Sequence, residues 1–154
     1  MKLYAVIAFM FIGMIMIDIA FDLPFLSDTF TETNTEAGYI YYKNFVNSFL
    51  PKYIITPFIG TAVLSILFEI IMERKLYSFL KLVSLSSAAL YFELKVTPIQ
   101  IKLSKTIFDP KSMEIVQMLK SIGVGHVILI GCLVLILLLT LITEKNENEK
   151  IKKN

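Results

Sequence analysis

Four titratable side chains interrupt or flank long apolar runs: Asp18, Asp22, Glu93 and His126. Asp18 and Asp22 are four residues apart, so on a helix they share one face. An ionisable group inside a membrane span is costly and defaults to a functional suspect. Three chemistries fit this set. Carboxylate oxygens and one imidazole would suit zinc, iron or copper, with Asp18, Asp22, Glu93 and His126 as ligands. The same groups would suit acid–base or proton handling. Alternatively, they sit near enough to the interface to be hydrated or paired with Lys95 and Lys120. His126 is the single histidine, and no His-x-x-x-His or cysteine pair supports the metal reading. Tyr91 and Gln100 are placed to lie nearby.

Other reactive types read more plainly. Glu69 lies close to Arg74 and Lys75 and reads as an interfacial ion pair. Met10, Met14 and Met16 offer soft sulfur for copper, but methionine also fills irregular packing, and Met16 faces away from the other two. Cys132, the lone cysteine, sits in the most apolar run and reads as a small hydrophobe. No cofactor is implied.

The elements that must position these groups are membrane spans. The chain is 56% hydrophobic, above the roughly 45–50% of soluble domains, and its mean hydropathy is +0.70. The excess is gathered into four blocks, at about 3–22, 53–72, 76–96 and 121–143. Each holds about 20 residues, enough to cross roughly 30 Å of hydrocarbon as a helix. The first block reads as a retained helix and not as a cleaved signal, because its apolar run is long and no small-x-small site follows. The third is the least apolar, carrying Lys81, Ser84, Ser86, Ser87 and Glu93. Its face of Ser84, Ser87 and Ala88 predicts close helix packing. Pro57 predicts a kink, and Gly123-x-Gly125 a close approach of the fourth helix to its neighbours.

The spacing predicts an all-α fold: a four-helix transmembrane bundle, residues 1–143, with a charged flexible tail at 144–154. Blocks two and three form a tight hairpin. The first long loop holds an amphipathic, tyrosine-rich helix over 37–49, capped by Asn34 or Thr35 and stopped by Pro51; its tyrosines suit the headgroup level. Asp109-Pro110 reads as a cap with proline at the first helical position, so one extended helix should run from Pro110 to about Thr143. An even number of spans places both termini on one side. The short basic turn Arg74-Lys75 puts that side in the cytoplasm. Asp18, Asp22, Glu93 and His126 then share the outer leaflet.

The net charge of +2, without a basic stripe, argues against nucleic acid. No phosphate loop, nucleophile elbow or internal repeat is present. The layout nevertheless resembles the small four-helix membrane proteins grouped around fungal anthrone oxygenases. The resemblance rests on Tyr41-Tyr42-Lys43, Leu50-Pro51, Thr56-Pro57, Thr97-Pro98-Ile99-Gln100 and Gly125-His126. Where that family carries Pro-x-Asn, this chain has Pro98-Ile99-Gln100, and it lacks the family's tryptophan and arginine around the histidine. The resemblance implies a membrane enzyme acting on a hydrophobic phenol without a cofactor, with His126 and Glu93 as catalytic residues. The reading from the residues alone is a non-enzymatic accessory subunit, or helper, of a larger membrane complex. It has the lipid bilayer and a membrane-protein partner or a second copy around it. A metal or proton carrier is the third expectation.

Overall fold

A computed structural model describes residues 2–48, 51–73 and 76–151. The chain is all-helical, with no strand among the described residues. Helix α1 spans Leu3–Leu26, α2 Glu32–Asn47, α3 Thr56–Glu73, α4 Leu76–Tyr91, α5 Thr97–Lys105 and α6 Met113–Ile151. Among the described residues, three helices are long and apolar enough to cross a membrane: Leu3–Leu26, Tyr53–Met72 and Met113–Lys145. These are consistent with an integral membrane protein. The third expected span, α4, is shorter and more polar than these.

The helix ends follow from local chemistry and correct several expected boundaries. Thr31, not Asn34 or Thr35, caps α2. Its hydroxyl accepts from the Asn34 backbone N–H (3.2 Å), and the Asn34 side chain accepts in return from the Thr31 N–H (3.0 Å). This reciprocal box starts the helix five residues earlier than expected. Asp109-Pro110 makes a turn, not a cap: Ser112 N–H donates to Asp109 O, and α6 begins at Met113. α6 also continues past Thr143, so residues 144–151 are helical where a frayed tail was expected.

Both Thr-Pro pairs follow a widened helical turn. π-helical turns at Pro51–Ile55 and Phe92–Val96 lead directly into Thr56-Pro57 and Thr97-Pro98. A proline has no N–H to donate and its ring crowds the carbonyl one turn back, so the helix opens there to an i→i+5 pattern. The expected kink at Pro57 takes this form. At Phe92–Val96 the helical path continues from α4 into α5 where the sequence suggested only a polar stretch.

Two cores result. α1 packs against α6 and α3, and α4 against α3 and α6. Their contact buries Tyr4, Ile7, Ala8, Ile15, Ala62, Ile66, Leu85, Leu133 and Ile136. The small-residue face of α4 is partly as expected. Ser84 and Ala88 are buried against α6, with the Ser84 hydroxyl donating to Cys132 O at 3.2 Å, whereas Ser87 is exposed. The second core lies where α2, α5 and the first turns of α6 meet the end of α1. It buries Phe25, Tyr39, Tyr42, Val96, Leu103, Ile115, Leu119 and Ile122. Tyr39 ties the two short helices together, its hydroxyl donating to Thr106 O at 2.8 Å.

Candidate functional site

The site stands between these cores. Asp18 and Asp22 project from the second half of α1, and His126 from α6. Glycine makes the approach possible. A Cβ on Gly123 would lie 3.0 Å from the Asp22 Cβ, and one on Gly125 would lie 2.4 Å from Val96 Cγ2. The pair therefore lets α6 close on α1 with one residue and on the Phe92–Val96 turn with the other, as Gly123-x-Gly125 suggested.

His126 is 2% exposed and Asp22 0% exposed. His126 Nδ1 donates to Asp22 Oδ2 at 2.7 Å. That bond fixes the tautomer and ring orientation, and leaves Nε2 facing Asp18 Oδ2 at 3.7 Å. The Tyr42 hydroxyl donates to the other oxygen of Asp22 at 2.5 Å, and the Tyr41 hydroxyl donates to Asp18 Oδ1. Hydrogen bonds thus join Tyr42–Asp22–His126 and, separately, Asp18–Tyr41, and the two halves of this chain face one another across the 3.7 Å between His126 Nε2 and Asp18 Oδ2. Phe92 stacks over the imidazole at 6.2 Å between centroids, and Phe21 stacks on Tyr41 at 4.1 Å. The chain is sealed at the Asp22 end, and at the other end the Asp18 side chain keeps 14% of its surface.

Burial, and then the carboxylates they face, push the Tyr41 and Tyr42 hydroxyls well above the usual phenol range. Both therefore remain donors throughout the physiological pH range. One carboxylate orients the histidine, as a third group does in acid–base centres, and its second nitrogen faces another carboxyl group.

Three of the four suspects meet; the fourth does not. Glu93 is exposed and accepts from Thr97 Oγ1 at 3.3 Å, one turn on. It sits in the π turn beyond α4, which carries it off the inner face. Neither lysine pairs with the cluster. Lys120 Nζ binds Asp28 Oδ1 at 2.7 Å, and Lys95 is exposed. No three of the described His, Cys, Asp and Glu residues are grouped so as to hold a metal ion. Tyr91 is half-buried and turned toward Lys95 and Lys120, while Gln100 is buried with its Nε2 unsatisfied.

No family model, characterised protein or solved structure matches this chain.

The two tyrosines were missed as site residues because aromatic side chains in an amphipathic loop helix read as interfacial anchors. A signal was present. Thr35, Gly38, Tyr39 and Tyr42 follow a three–four spacing, and all four are buried. That face had to pack on protein, and Tyr42 was on it.

A second buried polar group lies at the opposite end of the first core. Lys81, 0% exposed, donates to Glu69 Oε1 at 2.9 Å and to the Tyr4 hydroxyl at 2.8 Å. Ser78 Oγ donates to the same Glu69 oxygen at 2.7 Å, and Lys2 Nζ lies 3.3 Å away. Glu69 is therefore held inside the protein by α4. Arg74 and Lys75, its expected partners, lie outside the described residues.

Proposed function

We propose that the chain crosses the membrane four times, with both termini cytoplasmic, and that the Asp18–His126–Asp22 chain is an acid–base centre. Its substrate class would be a hydrophobic small molecule with an acidic proton, reached from the outer side at Asp18. α4 supplies the fourth crossing. It lies alongside α3 and α6, and together with its π turn, Leu76–Val96, it rises about 30 Å. Its lysine lowers its hydropathy, but that charge is matched by Glu69 and does not meet lipid. The short basic connection at Arg74-Lys75 supports the orientation.

One observation carries the acid–base reading: both ring nitrogens of a buried histidine face carboxyl groups. The resemblance to anthrone-oxygenase-like proteins points the same way, toward His126 and a phenolic substrate. Transfer of a proton across the bilayer has less support. Ile7, Ala8, Ile15, Ile66, Leu133 and Ile136 form an apolar layer between this centre and the Lys81–Glu69 pair. Deuterium exchange at the acidic C–H of a hydrophobic phenolic probe such as anthrone, added to protein in lipid discs, tests the reading. Exchange should exceed the buffer rate by about 10²-fold or more and fall back to it in His126→Gln and Asp18→Asn. Exchange at the buffer rate in the unaltered protein rejects it.

The sealing of Asp22 and His126 favours a second reading, in which the cluster is a clamp that fastens α2 to the membrane helices. The chain would then be a non-catalytic helper of a larger membrane complex. Mass spectrometry in mild detergent after gentle extraction tests this. A partner-free monomer would count against the helper, and stoichiometric co-purification of one membrane protein would support it.

A further inference from the structure

A groove of about 420 Å³ opens between the Phe92–Val96 turn with the start of α5 on one side and α6 on the other. Small-molecule sites typically enclose roughly 300–1,000 Å³. Its floor is apolar, made by Val96, Ile99 and Val124, and its rim carries Tyr91, Lys95 and Lys120. Lys120 has one partner, Asp28 at 2.7 Å. Lys95, exposed beside it, makes no ion pair or hydrogen bond among the described residues. The groove is thus cationic above and greasy below. It also sits where the crossing segments end and the polar connections begin.

We infer that this groove binds the phosphate headgroup of an anionic phospholipid, with Lys95 and Lys120 on the phosphate and an acyl chain along Val96, Ile99 and Val124. The inference rests on the four-crossing reading, which places the groove at the outer interface. Three features match that ligand, and the first, by its net charge, favours it over a zwitterionic one. The two ammonium groups complement a phosphodiester, the Tyr91 hydroxyl suits the headgroup level, and the apolar floor continues the lipid-facing surface of α6, where Val124, Val127 and Ile128 are exposed. Lys120 keeps Asp28 as a neighbour, so Lys95 carries the free positive charge.

Native mass spectrometry of the full chain in neutral detergent tests this, with phosphatidylglycerol and phosphatidylcholine titrated separately. A surface lysine contributes about fivefold to anionic lipid binding. Phosphatidylglycerol should therefore bind at least about fivefold more tightly than phosphatidylcholine. Lys95→Gln should remove most of that preference and leave the Asp28–Lys120 pair in place. Lys102→Gln, an equal charge change at a lysine paired with Glu114, should leave the preference intact. Equal binding of the two lipids overturns the proposal, as does an equal loss in Lys95→Gln and Lys102→Gln. So does competition by millimolar inorganic phosphate, which would show a free-anion site. Micelle binding is independent of which way the chain faces. Failure of the four-crossing reading would instead show in cysteine labelling of the connections on a Cys132→Ser background.

Discussion

Asp22 and His126 offer the sharpest test of whether the buried polar chain acts as a unit. His126→Gln leaves the Asp22 carboxyl group, wholly buried, with Tyr42 as its remaining hydrogen-bond donor. Removing one member of a buried charged pair costs about 3–5 kcal/mol, because the other is stranded away from water. Asp22→Asn removes the acid but keeps an oxygen for Tyr42 and His126, so its cost is that of a weakened hydrogen bond, about 1–3 kcal/mol. In the double variant no carboxyl group is stranded, and the loss should approach that of Asp22→Asn alone. The coupling energy is then about 3 kcal/mol in magnitude. An ordinary interhelical hydrogen bond in a membrane averages only about 0.6 kcal/mol, so the two pictures differ by several-fold. Equilibrium unfolding in mixed micelles, followed by far-ultraviolet circular dichroism for all four proteins, measures the cycle. A coupling below about 1 kcal/mol would show that the 2.7 Å contact is incidental and that His126 is held by packing.

Three further outcomes follow from the same structure. Gly125→Ala should lower stability by about 1–3 kcal/mol through overpacking against Val96, a shift of about 2–12 °C for a chain of this size. Val96→Ala in the same chain should recover part of it, whereas Gly131→Ala, which meets nothing within 4 Å, should be neutral or stabilising; thermal unfolding separates the three. Tyr41 and Tyr42 have raised folded-state pKa values, so the unfolded chain loses their protons first above about pH 10. Their contribution to stability is complete below that pH and declines as pH rises. Phenolate absorbance against pH should show a late-ionising fraction that disappears in Tyr41→Phe/Tyr42→Phe. Finally, Lys81→Met should cost about 3–5 kcal/mol by stranding Glu69, and Lys81→Met/Glu69→Leu should regain most of it; chemical unfolding of both variants decides.

Legibility in the sequence differed by element for physical reasons. α1, α3 and α6 were visible because lipid-facing helices must be apolar over their whole length, which leaves a long, uninterrupted signal. α4 was legible as the least apolar of the four expected spans, because its lysine answers a glutamate on another helix, and that pairing is tertiary. Asp18, Asp22 and His126 were found as a class, since their cost in an apolar run marks them wherever they point. Glu93 shows the limit of that argument. The widened turn before Thr97-Pro98 rotates it to the exterior. Tyr41 and Tyr42 were the reverse case, with an interfacial composition concealing an inward-facing hydroxyl. The expected cap at Asn34 failed by three residues because Thr31 and Asn34 satisfy one another, and either alone looks like a cap.

The Lys81–Glu69 contact also bears on how the chain enters the bilayer. A lone lysine within α4 would resist insertion by up to about 3 kcal/mol at mid-helix, and a lone glutamate within α3 would resist it too. Their 2.9 Å contact removes both obstacles at once, but only if the two helices arrive together. On the proposed four crossings, α3 and α4 should therefore partition as a single helical hairpin, with Tyr4 of α1 then accepting from the ammonium group. The order of assembly is in this way written into which helix holds which charge.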